Sequence, residues 1–158
     1  MVKILSIDGG GIRGVGPAYI LTQLDAALTA RGKQLTDCFD LFVGTSTGCI
    51  LAAGLAAADQ IIPKMTTQGL LDLYYDRGAD MFVRTPLAAP SFDLFAGIYQ
   101  TSAKHKVLQQ ILGSLTFNDL QKNFLATYYS LEPDSDAVFA QGGPKYRDPQ
   151  VNDKWREN

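Results

Sequence analysis

The sequence predicts an α/β fold, a layered sandwich in which a mostly parallel central sheet is flanked by helices. Short apolar runs typical of buried strands alternate along the chain with segments of helical periodicity. Two of these runs lead directly into glycine-containing turns, "DGGGIRG" and "GTSTG", and a helical segment follows each turn. The 158 residues, 46% apolar and 19% charged, suffice for one domain with a substantial core.

The first strand–turn–helix unit occupies the N-terminus. Residues 2–7 predict a strand without turn residues, and its apolar character predicts burial on both faces of the sheet. A helix is expected to open at residues 14–17, because proline is tolerated in a first helical turn, and to stop near Gly32. Its outward residues are Gln23, Arg31 and Lys33. Its predicted buried stripe, at helical spacing, comprises Ile20, Leu21, Leu24, Ala27 and Leu28.

The second unit is a short strand, residues 39–43, followed by a helix over residues 49–58 that has almost no polar surface. Residues 41–58 carry no charge over 18 positions, a length at which a membrane span must be considered. The central "GTSTG" interrupts that run. A buried strand, a turn and an interior helix are therefore predicted, and no transmembrane span is expected.

Further elements follow in the second half of the chain. A helix is predicted over residues 66–77, buried through Leu70, Leu73 and Tyr74 and ended by Gly78, and another over residues 103–112 ahead of Gly113. A β-strand is predicted over residues 124–131. A polar tail begins at about residue 141.

An irregular apolar loop is predicted over residues 82–98, which contain two prolines. Its aromatic and aliphatic side chains are expected either to pack into the core or to form a lipid-facing wall. The side chains concerned are Phe82, Phe92, Leu94, Phe95 and Tyr99.

Charge and cysteine content narrow the function. A net charge of −2 gives no basic footprint for nucleic acid, so no nucleic-acid partner is expected. Of the two cysteines, Cys38 and Cys49, the second lies in an apolar stretch, which predicts a buried free thiol rather than a disulfide or a metal ligand. No metal site is expected.

The two glycine-containing turns differ in chemistry. Residues 9–14 fit the dinucleotide pattern G-x-G-x-x-G, but the second strand ends at Val43 without the acidic residue that would bind ribose. Residues 44–48 fit G-x-S-x-G, which either exposes Ser46 as a nucleophile or caps the next helix. A nucleophile beside a turn rich in backbone N–H groups would supply both parts that acyl transfer needs.

A serine nucleophile requires a base, and His105 is the single histidine of the sequence. It lies between two lysines at the start of a predicted helix, a setting typical of a solvated surface. It also follows Ser46 too closely for the usual α/β-hydrolase order of serine, aspartate and histidine. The residue pattern therefore favours a surface position for His105 over a catalytic one.

With these two motifs in strand–turn–helix settings, the sequence from about Val2 to about Leu131 resembles the patatin-like phospholipases. The resemblance implies a lipid acyl hydrolase without a metal or organic cofactor, acting on phospholipid or galactolipid at a membrane surface, in the cytoplasm or as a peripheral protein. It implies that Ser46 is the nucleophile of a Ser–Asp dyad, and that Arg13 organises the first turn. The amides of Gly9, Gly10 and Gly11 would form the oxyanion hole, supported by Asp8, Gly14, Gly44 and Gly48.

The dyad aspartate of the family lies in a late Asp-Gly-Gly or Asp-Gly-Ala motif, and this sequence departs from that pattern. None of the ten aspartates after Ser46 precedes a glycine. We therefore expect the base to lie beyond Asn158, residues 1–158 to be part of a single patatin-like domain, and this portion alone to be inactive. Asp134 and Asp136 are alternative bases in a segment that resembles a solvated loop. A regulatory module without catalysis and a nucleotide-binding domain are the rival functions.

Overall fold

A computed structural model describes residues 1–58, 65–83, 101–128 and 138–142. Within these ranges the chain forms one sheet and several helices. The strands are β1 (Ile4–Ile7), β2 (Leu41–Thr45), β3 (Asn123–Tyr128) and β4 (Val138–Gly142). The α-helices are α1 (Val15–Thr29), α2 (Thr47–Ala56), α3 (Thr67–Met81) and α4 (Thr101–Leu112). Short 3-10 helices cover Gly11–Gly14, Leu35–Asp37 and Phe117–Asp119.

The sheet has the order β1-β2-β3-β4, and the first three strands are parallel. The predicted α/β fold with a mostly parallel sheet is therefore confirmed. In the register, Ile7 pairs with Gly44, and Gly44 pairs with Ala126. The carboxyl ends of β1 and β2 consequently lie side by side, so the turns that follow them leave the same edge of the sheet.

Strand β4 pairs antiparallel with β3, with Tyr128 opposite Val138 and Phe124 opposite Gly142. This strand was not predicted, because its five residues end in glycine and run directly into Gly-Pro, which are turn signals. It also includes residues 141 and 142, where the polar tail was expected to begin.

Helix α2 lies directly on the sheet, in contact with β1, β2 and β3. Its predicted interior position is confirmed: Leu51 and Ala52 are fully buried, and Phe42 and Phe124 of the sheet are buried in the same core. The opposite face of the sheet is open in the described part of the chain, where Ile4 is 54% exposed. The predicted burial of the first strand on both faces is therefore wrong for these residues.

Helix α1 packs mainly on α3. Its buried residues are Ala18 and Leu21, whereas Ile20 is 65% exposed and Ala27 is exposed. The predicted stripe was too wide because one neighbouring helix covers less of a helix surface than a sheet does. The helix ends at Thr29, and Gly32 follows in the next turn with φ +69°.

Helix α3 begins at the predicted position, where the Thr66 hydroxyl accepts a hydrogen bond from the Gly69 amide at 3.0 Å. Its predicted buried face is confirmed, since Leu70, Leu73 and Tyr74 are all buried. The predicted stop at Gly78 is wrong. The helix continues to Met81, and Gly78 lies inside it against the Ile12 side chain.

Helix α4 confirms the predicted helix before Gly113, which has φ +60°. Its Val107 is buried, and His105 is exposed, as expected for a solvated position. Of the predicted apolar loop, Phe82 packs partly buried against the core. Its residues 84–98, including Phe92, Leu94 and Phe95, lie outside the described residues, as does Tyr99.

Candidate active site

The two turns singled out in the sequence meet at the carboxyl edge of the sheet. The amide of Gly9 donates a hydrogen bond to Thr45 Oγ1 at 2.8 Å, and the amide of Gly10 donates to Thr47 Oγ1 at 3.0 Å. These threonines are the residues directly before and after Ser46. Two hydrogen bonds that flank the predicted nucleophile therefore connect the glycine turn to the serine turn.

Ser46 has an unusual backbone conformation, with φ +51° and ψ −119°. It is the one non-glycine residue with positive φ in the part of the chain that the structure describes. Such a conformation costs on the order of 1–3 kcal/mol and is found where the surrounding structure enforces it. Here the enforcing structure is the abrupt change from β2, which ends at Thr45, to α2, which begins at Thr47.

The side chain of Ser46 is exposed and does not cap the helix that follows it. Serine at this position normally accepts a hydrogen bond from an amide of the first turn. The absence of that bond here removes the helix-capping explanation of the G-x-S-x-G pattern. The hydroxyl projects from the edge of the sheet instead, as in strand–turn–helix turns that present a nucleophile.

The glycines on both sides of Ser46 are required by close backbone approach. A Cβ on Gly44 would overlap the backbone of Gly48 and Cys49, and a Cβ on Gly48 would overlap the carbonyl group of Ile7. Both glycines are buried. They allow α2 to start directly against the ends of β1 and β2, which produces the sharp turn at Ser46.

The glycine turn offers fewer free donors than the sequence suggested. Of the three amides expected to face an oxyanion, those of Gly9 and Gly10 already donate to the threonine hydroxyls. Gly11, with φ +59°, begins the first 3-10 helix. The amides of Gly11 and Ile12 have no acceptor within the described part of the chain, as expected for the first turn of a helix.

The structure also places two other residues predicted to support the site, Arg13 and Asp8. The Arg13 amide donates to the Gly10 carbonyl at 3.1 Å and closes the glycine turn, while its side chain is exposed. The Asp8 side chain is exposed, and its carbonyl oxygen would lie 3.0 Å from a Cβ on Gly48.

The last glycine of the turn, Gly14, is buried against the ring of Tyr74. A Cβ on Gly14 would lie 2.6 Å from Cε1 of that ring. The phenol O–H of Tyr74 donates to the Thr47 carbonyl at 3.1 Å. Burial raises the pKa of the Tyr74 phenol above its ordinary value.

Sequence reasoning missed the two threonines and Tyr74. A signal for the threonines was present, because "GTSTG" places hydroxyl side chains directly before and after the serine. No local signal pointed to Tyr74, because its contacts with residues 14 and 47 are long-range.

Of the other candidate groups, Cys49 adjoins this cluster, because its amide donates a hydrogen bond to the Ser46 carbonyl at 3.0 Å. Cys38 and Cys49 are free and half-buried, and burial raises the pKa of the Cys49 thiol. No cluster of three or more His, Cys, Asp or Glu residues suited to a metal ion occurs among the described residues. Asp134 and Asp136 fall outside those residues.

Together, the parallel sheet and the strained, exposed serine at its carboxyl edge define an α/β protein with the nucleophile-type turn of serine hydrolases. The sequence matches the family model described as patatin-like phospholipase over residues 5–156. The chain therefore belongs to the patatin-like phospholipase family, and the predicted family is confirmed.

Individual relatives agree with this assignment. The chain is 32% identical over 130 residues to a cGAMP-activated phospholipase of Escherichia coli (strain TW11681), covering 78% of this chain and 35% of that protein. It is 29% identical over 146 residues to Patatin-17 of Solanum cardiophyllum, covering 89% of this chain and 36% of the relative. It is 29% identical over 161 residues to Patatin-like protein 4 of Arabidopsis thaliana, covering 98% and 40%. The chain thus spans well under half the length of these relatives.

Within the described ranges, no helix combines the length and the apolar character that crossing a membrane requires.

Proposed function

We propose that this chain carries the nucleophile of a serine lipid acyl hydrolase of the phospholipase A type. The family assignment supports lipid as the substrate class. The observation that carries the proposal is the conformation of Ser46, which is strained, exposed and free of a capping role. A turn used only to start a helix has no need of such strain.

In the proposed reaction, Ser46 Oγ attacks the carbonyl carbon of a fatty acyl ester while its proton passes to an aspartate. The tetrahedral intermediate collapses to an acyl-enzyme, and the leaving alcohol takes up the proton. Water then attacks the acyl-enzyme and gives up a proton to the same aspartate; the second tetrahedral intermediate collapses, Ser46 Oγ leaves and takes the proton back from the aspartate, and the fatty acid is released. No metal or organic cofactor enters this sequence of steps.

The oxyanion would be stabilised by backbone amides of the glycine turn. Of the amides first expected to do so, Gly9 and Gly10 serve to fasten the turn, which leaves Gly11 as the principal donor and adds Ile12. Removing one such donor typically costs about 2.7–4 kcal/mol of transition-state stabilisation. These separate roles matter because amides that donate to an oxyanion act best when their positions are fixed before the reaction.

The base is proposed to be an aspartate outside residues 1–158, since none of the aspartates after Ser46 precedes a glycine. Residues 1–158 would then form the N-terminal part of one patatin-like domain and would be inactive alone. The substrates would be phospholipid or galactolipid acyl esters, met at a membrane surface by a cytoplasmic or peripheral protein. Nucleotide binding receives less support, because two of the amides that would cradle a phosphate already have acceptors.

The test is fatty acid release by an active form of the protein that includes residues 1–158. Vesicles of phosphatidylcholine and vesicles containing monogalactosyl diacylglycerol distinguish the two substrate classes. Ser46→Ala is expected to abolish release from both. Ser114→Ala, which alters an exposed serine away from the site, is the matched control and should retain full activity. Undiminished release by Ser46→Ala would refute the proposal.

A further inference from the structure

The side chain of Tyr74, on α3, touches both turns of the site. Its ring fills the space beside Gly14, where a Cβ would come within 2.6 Å of Cε1 and 3.0 Å of the phenol oxygen. Its O–H donates to the carbonyl oxygen of Thr47, at a distance of 3.1 Å. Gly14 ends the glycine turn, and Thr47 follows the nucleophile, so one buried side chain contacts both segments.

The contact continues from Thr47 to the glycine turn. The Thr47 hydroxyl accepts the hydrogen bond from the Gly10 amide at 3.0 Å, while the carbonyl of the same residue accepts the bond from Tyr74. Thr47 is 2% exposed and Tyr74 is 3% exposed, so the bond between them is shielded from water, while the bond from Gly10 is part-buried. In such surroundings a polar chain is rigid when every member is satisfied.

We propose that Tyr74 is a positioning residue, which fixes the glycine turn relative to Ser46 through Thr47. This inference rests on the proposed function for its catalytic consequence. Its structural part, the fixed position of the glycine turn, does not depend on the proposed function. In this proposal, Tyr74 on α3 holds Thr47, and Thr47 holds the amide of Gly10. Gly10 in turn positions the following amides of Gly11 and Ile12, which are to bind the oxyanion. The hydrogen bond from the Gly9 amide to Thr45 does not involve Tyr74 or Thr47, so the Gly9 amide serves as an internal reference for the Gly10 amide.

If Tyr74 contributed to packing alone, its substitution would have different effects. A purely structural residue would affect the stability of the whole fold and would leave the exchange of individual amides in the turn unchanged relative to one another. A positioning residue affects the Gly10 amide more than the Gly9 amide. It also lowers kcat more than it changes KM, because the oxyanion donors act in the transition state.

The experiment compares Tyr74→Phe, which keeps the ring and removes the O–H, with Tyr75→Phe at the neighbouring position, where the native side chain is 70% exposed. Hydrogen exchange of the turn amides is followed by NMR in the full chain. Tyr74→Phe is expected to speed exchange at Gly10 by about tenfold, the effect of losing one buried hydrogen bond, with a smaller change at Gly9. Tyr75→Phe is expected to change neither.

In an active form, Tyr74→Phe should lower kcat by about tenfold with KM nearly unchanged. Equal exchange at Gly10 in Tyr74→Phe and Tyr75→Phe would overturn the inference. If Tyr74→Phe fails to fold, Thr47→Val and Thr47→Ser test the link from Thr47 to Gly10 on which the inference depends. The valine variant should speed exchange of the Gly10 amide, and the serine variant should keep the native exchange rate. Exchange that is the same in both would equally overturn the inference. Full hydrolysis by Ser46→Ala would refute the proposed function alone, since the exchange result does not depend on it.

Discussion

Gly9 lies directly against Ser46: a Cβ placed on Gly9 would come within 2.8 Å of Ser46 Cβ and 2.6 Å of the Thr45 carbonyl oxygen. The two residues are far apart in the sequence, and the parallel pairing of β1 with β2 brings them together. The glycine is thus required by the proximity of the serine. The proposed nucleophile and the beginning of the glycine turn are therefore in contact at the edge of the sheet.

This contact predicts a strong effect of Gly9→Ala on catalysis. The added methyl group must push the glycine turn away from the serine turn, and a displacement of about 1 Å can cost about 100-fold in rate. We expect kcat/KM for ester hydrolysis to fall by about that factor. Gly16→Ala is the matched control, since a Cβ there meets open space in the first turn of α1. A Gly9→Ala variant as active as Gly16→Ala would contradict the predicted contact.

The strain at Ser46 predicts a conflict between stability and activity. Glycine adopts a positive φ at little cost, whereas alanine carries the same Cβ penalty as serine. Ser46→Gly should therefore be more stable than Ser46→Ala by about 1 kcal/mol in urea unfolding, although both are expected to be inactive. Equal stability of the two variants would show that the +51° φ of Ser46 carries no strain.

Gly48 is predicted to be a requirement for folding rather than for chemistry. An alanine there would overlap the Ile7 carbonyl group, and neither backbone segment can move without separating α2 from β1. The expected loss of unfolding free energy in Gly48→Ala is about 3 kcal/mol or more, measured by chemical denaturation. Gly16→Ala should change stability by no more than about 1 kcal/mol. Similar values for both would be inconsistent with the close approach.

Tyr74 predicts a specific pH dependence of stability. Burial raises the pKa of its phenol above the ordinary value of 10.0, so the unfolded chain loses this proton at a lower pH than the folded chain. Above about pH 10 the unfolded state binds fewer protons, and the free energy of unfolding falls by up to about 1.4 kcal/mol per pH unit from this group. Below pH 10 the group contributes no slope.

The comparison of native protein with Tyr74→Phe isolates that contribution. The native protein should be the more stable of the two at pH 8, and its advantage should shrink or reverse at pH 11. Unfolding in urea at both pH values measures the difference. A difference that is the same at pH 8 and pH 11 would contradict the burial of the phenol in the folded state.

Local patterns predicted most of the elements because each depends on a few neighbouring residues. The Ala- and Gly-rich run of α2 predicted an interior helix. The apolar runs predicted the positions of β1 and β2 to within two residues. The G-x-S-x-G pattern identified Ser46. Its actual conformation follows from the packing of Gly44 and Gly48 against neighbouring backbone, which no local pattern records.

Long-range contacts account for what the sequence did not predict. The exposed side of α1 depends on its packing against α3, and strand β4 exists through its pairing with β3. The use of the Gly9 and Gly10 amides depends on the register that places Thr45 and Thr47 beside them. Each of these features is set by the relative placement of elements that are distant in the sequence.

Covalent labelling with a fluorophosphonate, followed by peptide mapping, tests most directly whether Ser46 is the nucleophile. In a form of the protein that cleaves acyl esters, we predict a single adduct on Ser46, loss of esterase activity in proportion to labelling, and no adduct in Ser46→Ala. An adduct on a different residue that accompanies the loss of activity, or ester cleavage that persists in fully labelled protein, would contradict the account.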